Sequence, residues 1–133
     1  MSKSASRKVE FGNEVNEVII AVDFDGTLCV NQWPAIGPPR AAVISWVKAR
    51  QHGGDKLILW TNREAERLDE ALKWCADQGI EFDAVNENLP EIVKMFGGDC
   101  RKIWADVYLD DKAMKPEEAE RQVRFRRTVR RGM

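Results

Sequence analysis

Apolar and polar positions fall into blocks whose period changes along the chain. The segment VIIAVDFDG, residues 18–26, is a nearly unbroken β-branched run that ends in acids and glycine. Such a run leaves no polar face for water, so it predicts a central strand buried on both sides, its C-terminal end opening into a site. In PPRAAVISWVKARQHGG, residues 38–54, Ala42, Val43, Trp46, Val47 and Ala49 take helical spacing. Prolines open that segment and Gly53-Gly54 closes it, which is the punctuation of a helix. A second apolar strand over 56–60 ends in Thr61-Asn62. In EAERLDEALKWCADQG, residues 64–79, Leu68, Ala71, Leu72 and Cys75 share one face, with acids early and Gly79 as the stop, predicting a second helix. A short strand near 82–85, a Pro-led helical turn over 90–96 and a strand over 103–109 follow. The last strand ends at Asp110-Asp111. Residues 1–16 lack periodicity and predict a flexible lead-in, and 29–37, with Trp33 and Pro34, reads as a loop in which Trp33 is equally a packing residue or a platform for stacking substrate.

Strands alternating with helices through short connections predict an α/β fold, a Rossmann-like, mainly parallel sheet with flanking helices. Ligands bind such sheets at the C-terminal ends of the strands. Three strands here end in DFDGT, TNR and LDDK, which gathers the polar chemistry on one edge.

A length of 133 residues suits one α/β domain over 17–115, between the lead-in and a basic tail over 116–133. An apolar fraction of 44% with five Trp argues against wholesale disorder. The longest apolar run, residues 18–22, is far short of the roughly 18 residues needed to cross a bilayer. With no signal-peptide pattern at the N-terminus, a cytoplasmic protein is expected, without membrane partners. Cys29, Cys75 and Cys100 form no CxxC pair, so reduced thiols are expected, not disulfides or structural zinc. His52, beside two glycines, reads as a helix-end residue without partners for a catalytic triad.

The net charge of −1 is a cancellation. Residues 112–133 hold eight basic and three acidic side chains, so the tail is +5 and the body −6. Glu117 and Glu120 stand four residues before Arg121 and Arg124, the pattern of a solvated helix. Nucleic acid, or an acidic partner such as a second copy of the chain in a homo-oligomer, is the other reading of Arg124, Arg126, Arg127, Arg130 and Arg131.

Asp23 and Asp25 lie two residues apart where the first strand gives way to a glycine turn, so both carboxylates face one small volume. Two anions so close repel unless a cation sits between them. A hard divalent ion such as Mg²⁺, which prefers oxygen ligands, fits, and Asp110 and Asp111 offer further oxygens. Thr61 brings a hydroxyl and, with Asn62, backbone N–H groups for an anionic oxygen.

DFDGT, then an apolar strand ending in Thr61, then one ending in Asp110-Asp111, resembles the haloacid dehalogenase superfamily of phosphohydrolases. The strings IAVDFDGTL, WPAIG, LILWTNRE and ADVYLDD are most similar to its small, capless bacterial and phage hydrolases. The resemblance implies a phosphatase. Asp23 is then the nucleophile that forms an aspartyl-phosphate, and Asp25 the acid and base. Mg²⁺ is the cofactor, held by Asp23, the backbone carbonyl of Asp25, Asp110 and Asp111. Thr61 and Asn62 hold the phosphoryl group of a phosphorylated substrate. A cation is also required there. Lys102 and Arg63 rank first because RKIWAD and TNRE resemble related strings, although eight extended residues, about 26 Å, separate Lys102 from Asp110. Lys94 and Lys112 stay open. The intervals between motifs leave no room for a cap domain of about 50 residues, so an open site and a large substrate, such as a nucleotide or polynucleotide phosphate, are expected. The competing readings are a receiver-like module phosphorylated on Asp and an idle binding protein that uses the Arg-rich tail.

Overall fold

A computed structural model describes residues 17–122. The element order is β1 (Ile19–Val22), β2 (Cys29–Gln32), β3 (Ala35–Pro39), α1 (Ala41–His52), β4 (Lys56–Leu59), α2 (Ala65–Asp77), β5 (Ala84–Val85), α3 (Pro90–Phe96) and β6 (Val107–Leu109). A further helical stretch, α4, occupies 116–122. The lead-in over 1–16, the Glu120–Arg124 spacing and the arginines at 124–131 lie outside the described residues. No helix among the described residues is long and apolar enough to cross a membrane.

The expected α/β architecture is present. Strands β5, β4, β1 and β6 form one sheet in that order, all parallel, and β2 and β3 form a separate antiparallel hairpin. Strand β1 is buried at every position and splits by its two-residue period. Ile20 and Val22 join a cluster with Ile44 and Val47 of α1 and Ala71 and Cys75 of α2. Ile19 and Ala21 join Ile92 of α3 on the opposite face. Helices therefore cover both faces of the sheet.

Because both faces of β1 are apolar, hydrophobic alternation alone cannot set its register. Acids just ahead of the neighbouring strands do so. The backbone N–H of Val18 donates to Asp55 Oδ1 at 3.1 Å, that of Ile19 to Asp106 Oδ2 at 2.7 Å, and that of Leu57 to Asp83 Oδ2 at 2.8 Å. With these clamps Val22 pairs with both Leu59 and Leu109.

Three local expectations change. The segment 29–37 is not a plain loop but most of the β2–β3 hairpin. Its prolines are tolerated because the two-stranded ribbon leaves N–H positions outside any ladder. The last strand is only Val107–Leu109. Ile103 and Ala105 pack on the α3 side instead of pairing, and the Tyr108 hydroxyl donates to Ile103 O and accepts the Ala105 N–H. On α1 the inward stripe is Val43, Ile44, Trp46 and Val47, while Ala42 and Ala49 face water. That stripe follows the 3.6-residue period more closely than the expected one.

Candidate active site

The register brings three chain ends to one edge. Beyond the ladder, the Asp23 N–H donates to Leu109 O at 3.0 Å and the Trp60 N–H to Val22 O at 2.9 Å. Asp23, Thr61 and Asp110 thus leave neighbouring strands side by side. They line a cavity of about 310 Å³ with Asp25, Asn62 and Arg63, together with Asn31 and Trp33 of the hairpin and Lys112. A smaller cavity of about 200 Å³ shares Asp23, Thr61, Asn62 and Asp110 and reaches Trp60.

Asp23, Asp110 and Asp111 each offer one carboxylate oxygen, all within 4.8 Å of one another. Burial, and then the charge of Asp110, push the Asp23 carboxyl up to about 6. Thr27 links the cluster: its Oγ1 donates to Asp23 Oδ2 at 3.2 Å and accepts the Asp111 N–H at 3.1 Å. Gly26, at φ +89°, leaves the space that Asp111 fills, since a Cβ there would lie 2.3 Å from Asp111 Oδ2. Three crowded carboxylates are a hard-oxygen donor set, which suits Mg²⁺ better than a thiophilic metal.

The Asp25 carboxylate is not part of this cluster. Its Oδ2 and Oδ1 accept hydrogen bonds from Arg63 Nε and Nη2, both at 2.8 Å. Expecting the Asp25 side chain and Arg63 to serve metal and phosphate separately overlooked this pairing, because opposite charges with matching two-pronged geometry satisfy each other first. Arg63 is 1% exposed. It also donates to Ala35 O at 3.1 Å and lies over the Phe24 and Trp33 rings at 5.0 and 4.9 Å. The hydrogen bonds to Asp25 raise its pKa further above the ordinary guanidinium value, so it stays charged.

Thr61 sits where expected, but its backbone N–H is already donated to Asn86 Oδ1 at 2.8 Å. Its Oγ1 accepts the Arg63 N–H at 3.1 Å, which leaves the hydroxyl hydrogen for an incoming oxygen. Asn62 is exposed on the cavity wall. Lys102 does not reach the cavity. It is exposed ahead of β6, and Asp106, between it and that strand, donates its N–H to Ile19 O at the opposite end of the sheet. Lys94, in the last turn of α3, does not line the cavity either; Lys112 does. Thr27 and Asn86 were not expected as site residues from sequence; the threonine of DFDGT was the available signal for the first. Trp33, equally a packing residue or a stacking platform by sequence, lines the cavity, and its backbone N–H donates to Asn31 Oδ1 at 3.1 Å.

Among the described residues, the interval from β1 to β4 holds only the hairpin and α1, and that from β4 to β6 only α2, β5 and α3. The hairpin is therefore the cover that the site has among these residues.

No protein-family model matches the chain, and no curated protein matches it. A solved structure, that of a conserved protein coded by a locus from Bacteroides thetaiotaomicron, is similar to it with a TM-score of 0.66 and 36% sequence identity, over 85% of this chain and 93% of that one. At that identity and coverage, the chain belongs to the same family as this conserved Bacteroides thetaiotaomicron protein.

Proposed function

We propose that the protein is a Mg²⁺-dependent phosphomonoester hydrolase of the haloacid dehalogenase type, acting through an aspartyl-phosphate on Asp23. One observation carries the reading: Asp23, Asp110 and Asp111 bring carboxylate oxygens within 4.8 Å at a parallel-sheet edge, in a cavity that Thr61 also lines. The donor set fits Mg²⁺, and when bound the ion offsets charge on the phosphoryl oxygens and between the carboxylates.

A carboxylate oxygen of Asp23 attacks phosphorus in line while the bond to the leaving oxygen breaks. That oxygen keeps the electron pair and takes a proton from Asp25. A water molecule then attacks the phosphorus of the aspartyl-phosphate and gives its proton to Asp25. The bond from phosphorus to Asp23 breaks, restoring the carboxylate and releasing inorganic phosphate. The Thr61 hydroxyl donates to a phosphoryl oxygen, and Lys112, on the cavity wall, supplies the positive charge first sought at Lys102. Arg63 orients the Asp25 carboxyl through its two hydrogen bonds, and the proton that Asp25 gains from water in the second step is the one that it gives to the leaving oxygen in the next turnover. In the first step Asp25 must turn one oxygen from Arg63 toward the leaving group.

Phosphate release from an aryl phosphate, with Mg²⁺ and with a chelator, tests the reading. Activity that chelation and Asp23→Asn both abolish, in a variant with an unchanged circular dichroism spectrum, is expected. Full turnover by Asp23→Asn would overturn it.

A further inference from the structure

We propose that Trp33 is a stacking surface for a nucleobase, so that the substrate is a nucleoside monophosphate or the phosphorylated end of a nucleic acid; this rests on the phosphomonoesterase reading above. All five tryptophans fall within the described residues, and Trp33 alone is exposed, at 56%. One face of this indole packs against the Arg63 guanidinium, and more than half of the residue is still left in water at the wall of a polar cavity.

Its placement is fixed, not slack. The Arg63 guanidinium lies 4.9 Å from the ring, and Arg63 is itself held by Asp25 and by Ala35 O. The Trp33 backbone N–H donates to Asn31 Oδ1 at 3.1 Å, which fixes the main chain beneath the ring. The ring thus stands on the same cavity as Asp23 with one face against a buried guanidinium, a contact that lowers the ordering cost when a ligand meets the other face.

The cation behind the ring also selects what stacks on it. A guanidinium over one face draws π density toward itself, so the open face is a poorer partner for a second cation or for the polarised C–H groups of a sugar. A flat heteroaromatic ring, which stacks through dispersion and offset quadrupoles, loses least. Asn31, whose Oδ1 is engaged but whose amide N–H groups can donate, lines the same cavity and offers a donor to the polar edge of a base. At about 310 Å³ the cavity has the size of a small-ligand site and exceeds what a phosphoryl group fills.

Calorimetric binding to Asp23→Asn protein with Mg²⁺ reads this without turnover. Adenosine 5′-monophosphate or 3′-monophosphate is expected to bind about 5- to 100-fold more tightly than ribose 5-phosphate. Adding Trp33→Ala should bring that ratio close to one, and Trp33→Phe should retain most of it. Equal or tighter binding of ribose 5-phosphate, or a ratio that Trp33→Ala leaves intact, overturns the stacking role. Hydrolysis of adenosine monophosphate and of an aryl phosphate by the unmodified protein is measured in parallel. Its absence would count against the phosphatase reading while the binding ratio still decides the role of Trp33.

Discussion

Arg63 and Asp25 meet through two parallel N–H···O bonds, both 2.8 Å long, and the same guanidinium reaches across to Ala35 O at the base of β3. One buried side chain therefore fastens the candidate acid–base to the hairpin that covers it. A guanidinium does this where an ammonium cannot, since its planar fork matches both carboxylate oxygens at once. Arg63 Nη1 is buried with no hydrogen-bond partner among the described residues.

Removing that guanidinium leaves Asp25 half-buried without its counter-charge. Arg63→Ala is expected to lower unfolding free energy by about 3 kcal/mol, with Arg63→Lys in between, because breaking a buried pair exposes the desolvation of the remaining charge. Urea denaturation of the three proteins measures it, and a loss indistinguishable from that of an exposed helix substitution would contradict the pairing.

A proton donor matters most when the departing oxygen is a poor leaving group. Asp25→Asn is expected to slow hydrolysis of alkyl phosphates by about 10²- to 10⁴-fold, but to slow aryl phosphates with acidic phenols much less. Comparing kcat/KM across a series of leaving groups reads the difference, and an equal loss on every substrate would remove Asp25 from proton transfer.

Asp23 has a carboxyl raised from 3.8 to about 6 in the fold. The unfolded chain ionises first as pH rises, so this group's contribution to stability is full below about 4 and is lost as pH climbs toward 6. Metal-free Asp23→Asn, neutral throughout, should match the parent near pH 4. By pH 7 it should be more stable by about 1–2 kcal/mol, discounted for solvent screening. Thermal melts across that range test the sign. Mg²⁺ should narrow the gap at pH 7 by stabilising the parent, and Mg²⁺ affinity should fall as pH drops through 6.

Gly26→Ala meets two obstacles at once. A left-handed backbone costs a non-glycine residue about 1–2 kcal/mol, and the new methyl would occupy the place of Asp111 Oδ2. Lower melting temperature together with Mg²⁺ affinity weakened about 10-fold or more is expected. A variant that loses stability but binds Mg²⁺ as before would show that Asp111 is not a ligand.

Much of this architecture was legible in the sequence because its strongest signals are periodic. The unbroken run at residues 18–22 marks a strand buried on both faces, and the stripe Leu68, Ala71, Leu72 and Cys75 marks the inward face of α2. Asp23, Thr61, Asp110 and Asp111 were legible because strand ends in a parallel sheet share an edge. The hairpin was not, since its prolines and Gly37 mimic loop composition. Nor was the partner of Asp25: Arg63 follows Thr61 closely enough to suggest a phosphate ligand, and only the side chain's path inward reveals the salt bridge. Lys102 failed for a different reason: the likeness of RKIWAD to related strings was set above the roughly 26 Å of extended chain that already placed this lysine at the far end of the strand.

The three acids that clamp Val18, Ile19 and Leu57 lie at the end of the sheet away from the cavity, yet they govern it. A slip of one residue along β1 would carry Asp23 about 3.3 Å and turn its side chain to the other face, breaking a carboxylate group that spans no more than 4.8 Å. Asp55, Asp83 and Asp106 thus index the sheet from below. A substitution at any of these three aspartates is therefore expected to disturb the carboxylate group at the opposite rim, although none of them lines its cavity.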